Sequence, residues 1–81
     1  MQNVKELETR IVSAKRFLNA ELTACKARTA VTTFTLSEIG FFQDSIHEVE
    51  RIGLRNLKDL DFIKIRRVLT SVEARMKLSA N

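Results

Sequence analysis

The sequence predicts an all-α fold, an antiparallel three-helix bundle with a long, coiled-coil-like first helix. Three observations carry this. No proline occurs in 81 residues, so nothing interrupts long helices. Apolar residues recur at spacings of three and four along most of the chain. Two short stretches, "TLSE" and "ERIGL", read as a helix start and a helix stop.

The first helix is expected over about residues 4–31. Asn3 followed by Glu6 is a loose capping box at its start. Val4, Leu7, Ile11, Ala14, Leu18, Leu22, Cys25 and Thr29 then fall on one face. This stripe is narrow, about the width of a coiled-coil seam. Such a helix is roughly 40 Å long at 1.5 Å per residue. The threonine-rich run that follows, "RTAVTTFT", lowers helix propensity. A lone strand there would need a partner, and the chain offers none. The run therefore reads first as a joint at about residues 32–35, with an unbroken helix second and a strand that pairs with another copy of the chain third.

The second helix is expected over about 36–52, opened by the Thr35–Glu38 capping box. Ile39, Phe42, Ile46 and Val49 form its main stripe, while Phe41 and Ile52 fall on a second side. Apolar character on two sides suits a helix set between two neighbours. Gly53 fits the left-handed end of a Schellman motif, and Gly40 fits a close approach by another helix. The third helix is expected over about 57–78, with Asn56 as its cap. Phe62, Ile65, Leu69, Val72 and Met76 make its stripe.

Charge supports the same topology. Residues 1–30 hold six basic and three acidic groups, residues 31–53 one and four, and residues 54–81 seven and three. An acidic second helix between two basic ones brings opposite signs together, although surface pairs stabilise little. The first helix is longer than the second, so part of its seam lacks an evident partner. This predicts self-association, a homodimer, or partner binding through Val4, Leu7, Ile11 and Leu18.

Size and composition narrow the function. An 81-residue chain forms one domain and buries only about 60% of its unfolded surface, so it depends on packing or self-association. The single cysteine, Cys25, rules out an internal disulfide and suits a reducing compartment, the cytoplasm. Its expected role is a small buried apolar residue. "MQNVKELETR" has acids and no apolar core, so no secretory leader is expected. The longest uncharged run, Thr29 to Ser37, is too short to span a bilayer, and a membrane partner is not favoured.

Enzyme chemistry finds no footing. His47 is the only histidine, and a surface role is expected of it. Glu48 and Glu50, like Asp59 and Asp61, diverge at i,i+2. No cofactor or metal is expected. Nucleic acid is the alternative partner, because the net charge is +4 and Lys64, Arg66, Arg67 and Arg75 could contact phosphates. Aromatic residues are not interleaved with these cations, so base stacking is not indicated. A helix-turn-helix alignment through Gly53 would place Glu48 and Asp59 at apolar positions. By elimination, the sequence favours a small non-enzymatic protein–protein interaction module, such as a regulator, inhibitor or adaptor. The off-stripe Phe41 and Ile52 are its exposed apolar candidates.

Overall fold

The computed structural model describes residues 4–27 and 34–79. Three helices pack pairwise against one another: α1 (Val4–Ala27), α2 (Leu36–Ile52) and α3 (Asp59–Ser79). The expected three-helix bundle is the observed fold. The Asn3 cap, the last turn expected of the first helix and most of the threonine-rich joint lie outside the described residues.

Each helix follows from its stripe. Leu7, Ile11, Ala14 and Leu18 of α1 are buried, as are Ile39, Ile46 and Val49 of α2. Ile65, Val68, Leu69 and Val72 of α3 close the core. Along α1, Lys15 reaches Glu50 and Asn19 receives a hydrogen bond from Gln43, so α1 and α2 run in opposite senses.

Two sequence expectations are corrected here. The charge pattern sets α2 between the other helices, but α1 also packs directly on α3. The Arg10 guanidinium binds Glu73 through two hydrogen bonds of 2.9 and 2.8 Å. Those bonds raise the Arg10 pKa above its ordinary value. The seam that seemed unpartnered is covered as well, in one cluster with residues of α2 and α3. Leu7, Ile11 and Leu18 are 6%, 4% and 0% exposed within a single chain, and only Val4 is half-buried. Comparing α1 with α2 alone left α3 out of account. The seam is core, and it is not a free docking surface.

The helix ends show how local chemistry sets the turns. At the start of α2 the Thr35 hydroxyl accepts from the Glu38 N–H, and the Glu38 carboxylate accepts from the Thr35 N–H. This is the predicted capping box, and its hydrogen bonds pull the Glu38 carboxyl below the ordinary glutamate range. Gly53 takes φ 93° and ψ 132°, so its φ is positive as expected but its ψ is not that of a Schellman turn. The chain instead enters one 3₁₀ turn, Leu54–Asn56. Asn56 does not cap α3. Its Nδ2 donates to the Ile52 carbonyl at 3.2 Å and satisfies the end of α2. The start of α3 is served by Asp61, whose carboxylate accepts from the Lys58 N–H.

Gly40 corrects a further expectation. Among the described residues a Cβ placed there meets nothing within 4 Å, so no described helix approaches at this point. Mid-helix glycine without a packing reason costs about 0.5–1 kcal/mol relative to alanine. Gly40→Ala is therefore expected to raise the melting temperature by about 2–8 °C in a domain of this size, measured by circular dichroism.

Candidate functional site

Among the described residues, a groove of about 910 Å³ lies between α2 and α3. Helical spacing builds both walls. On α2, Phe41, Ser45, Glu48 and Ile52 recur at four, three and four residues and share one side. On α3, Lys64, Arg67 and Ser71 recur at three and four and share the facing side. Phe42, Val49, Ile65 and Val68 form the floor. The two helices are antiparallel here. Arg75, late in α3, lies over Phe34, just before α2, at 5.5 Å from the ring centroid.

Phe41 is the main feature of the groove. It is 62% exposed and rests edge-on against Phe42, with centroids 5.7 Å apart. Ile52 lines the same groove and is half-buried. The two off-stripe residues singled out from the sequence thus line one groove. They stand eleven positions apart, a span of roughly 16 Å along the helix.

Charge is arranged by wall. Asp44 and Glu48 edge the groove on α2, and Lys64 and Arg67 edge it on α3. Glu48 also pairs with Arg51 one turn on, and that pairing holds its carboxyl below the ordinary range. Asp61 lies on the α3 side but already accepts the Lys58 N–H. The Ser45 hydroxyl donates to the Phe41 carbonyl at 2.9 Å. The groove therefore offers apolar surface and opposed charges, a set suited to binding.

The four candidate phosphate contacts do not gather into one patch. Lys64 and Arg67 reach the groove, while Arg66, two positions from Lys64, falls on a different side of α3. Arg75 is engaged over the Phe34 ring, a cation–π arrangement, and helps lower the Glu38 pKa.

Phe34 is the residue that sequence reasoning missed. It is 3% exposed and packs edge-on against Phe17 at 6.1 Å and Phe42 at 5.1 Å. The available signal was its place directly before the Thr35 cap, with Ile39 following at the fourth helical position. That is the hydrophobic-staple pattern.

A second depression of about 260 Å³ involves Lys15, Asn19, Gln43, Asp44, His47 and Glu50. Its groups pair with each other across α1 and α2, Lys15 with Glu50 and Gln43 with Asn19. His47 is exposed there, and Cys25 is half-buried rather than fully buried. Among the described residues, no cluster of histidine, cysteine and acids could hold a metal. Among them too, no helix is long and apolar enough to cross a membrane. Comparison of the chain with protein families, characterised proteins and solved structures finds no match.

Proposed function

We propose that the protein is a small non-enzymatic interaction module that binds another protein chain through the α2–α3 groove. The observation that carries this reading is Phe41, a large aromatic side chain left 62% exposed above an apolar floor. Aromatic anchors beside a pocket are the usual energetic centres of protein interfaces. A regulator, inhibitor or adaptor acting by occupancy fits a domain with such a groove. The single cysteine favours a reducing compartment, the cytoplasm.

Nucleic acid remains the second reading, and one observation favours it. The fold sets exposed Phe41 across the groove from Lys64 and Arg67, an aromatic beside cations. Against it, Asp44, Glu48 and Asp61 line the same groove and repel phosphate.

Affinity capture from source-cell extract, run with the native chain and with Phe41→Ser, tests the proposal. A protein retained by the native chain and lost with Phe41→Ser supports it. Nucleic acid retained instead, stripped by salt and lost when Lys64, Arg66 and Arg67 become glutamine, would overturn it, because phosphate contacts release counterions.

A further inference from the structure

We infer that the occupant of the α2–α3 groove is a second copy of the same chain, related by a two-fold axis that runs along the groove. The inference rests on the interaction-module reading and names its partner. Charge complementarity around an apolar floor supports it. One edge of the groove is acidic, through Asp44 and Glu48 on α2. The other is basic, through Lys64 and Arg67 on α3. A two-fold axis along the groove lays each α2 over the partner's α3. Both acidic edges then face basic edges, and the two exposed Phe41 rings come to the same end of the interface. An axis across the groove would instead set acid on acid and base on base.

A uniformly charged partner fits less well. A polyanion meets repulsion from Asp44 and Glu48, and a polycation meets it from Lys64 and Arg67. A second copy turned about the long axis meets neither. Asp61 also lines the groove from α3, so the basic edge sets the two cations Lys64 and Arg67 against one carboxylate, itself an acceptor of the Lys58 N–H. Arg51 pairs with Glu48 on the acidic edge, and Asp44 also borders the depression shared with Lys15. Exposed apolar surface also continues past the basic edge. Leu60, one turn before Lys64 on the same side of α3, is 69% exposed, and Ile63 is 50% exposed. This interface differs from the α1 seam that the sequence suggests, since that seam is buried within one chain.

Sedimentation equilibrium of the full chain, from micromolar to millimolar concentration, tests the inference. The expected result is a dimer that weakens as salt is added, because its edges attract. Phe41→Ser should weaken it about tenfold or more while the helical circular dichroism signal is kept. The pair Asp44→Lys and Glu48→Lys should be monomeric alone, as should the pair Lys64→Glu and Arg67→Glu. An equimolar mixture of the two variants should dimerise again, since each then supplies the sign the other lacks. Salt dependence of the native chain needs no substitution, so the test survives a variant that fails to fold. A native chain monomeric at millimolar concentration, or a dimer that salt strengthens, would overturn the inference. If that monomer still captures a different protein through Phe41, only the self-pairing falls and the interaction-module reading stands.

Discussion

Replacing Leu18 by alanine is expected to bring the protein to the edge of unfolding. Leu18 is 0% exposed and packs in the same cluster as Ile39 and Ile46 of α2. Truncating a fully buried leucine costs about 2–5 kcal/mol, from lost transfer energy and the cavity left behind. A domain of this length holds roughly 4–12 kcal/mol in total. The single change therefore removes a large share of the stability. Urea denaturation should show the midpoint falling by about 2 M or more, given a slope near 1 kcal/mol per molar for a chain this small. A Leu18→Ala protein of native stability but weakened self-association would mean that the α1 seam is an interface after all.

The second large effect is expected at Gly53. Its φ of 93° with ψ of 132° lies where side chains are strained, a cost of about 1–3 kcal/mol for a non-glycine residue. A Cβ there would also stand 3.2 Å from the Asn56 Nδ2. That atom donates to the Ile52 carbonyl, so the methyl group threatens the end of α2 as well as the turn. Gly53→Ala should lower the urea midpoint, whereas Gly40→Ala should raise it. The two glycines of the chain thus make opposite predictions for the same substitution, and one set of melts checks both. Equal effects at the two positions would contradict the turn geometry described above.

How far the sequence foretold this molecule depends on what each residue touches. The stripes of α1 and α3 were legible because a 3.6-residue period is a local property. So was the Thr35–Glu38 capping box, which needs only four consecutive residues. The role of Asn56 was misread because an asparagine between two helices can serve either one. Phe34 escaped notice because it precedes its helix and belongs to no stripe. The buried seam of α1 was misread because its cover is α3, sixty residues away through Arg10 and Glu73, and no local pattern reports that contact. The site divides in the same way. Phe41 and Ile52 were visible as a second apolar side of α2. That Lys64 and Arg67 stand across from them is a consequence of how α2 packs on α3, and only the fold reveals it.

The proposed binding face is the α2–α3 groove and not α1. Amide chemical shifts of the isotopically labelled chain, followed on dilution at low salt, test this residue by residue. The concentration-dependent shifts are expected to cluster at Phe41, Ser45, Ile52, Lys64 and Arg67, with Leu7, Ile11 and Leu18 unmoved. Shifts centred on α1, or a spectrum that does not change with concentration or with any added protein, would contradict it.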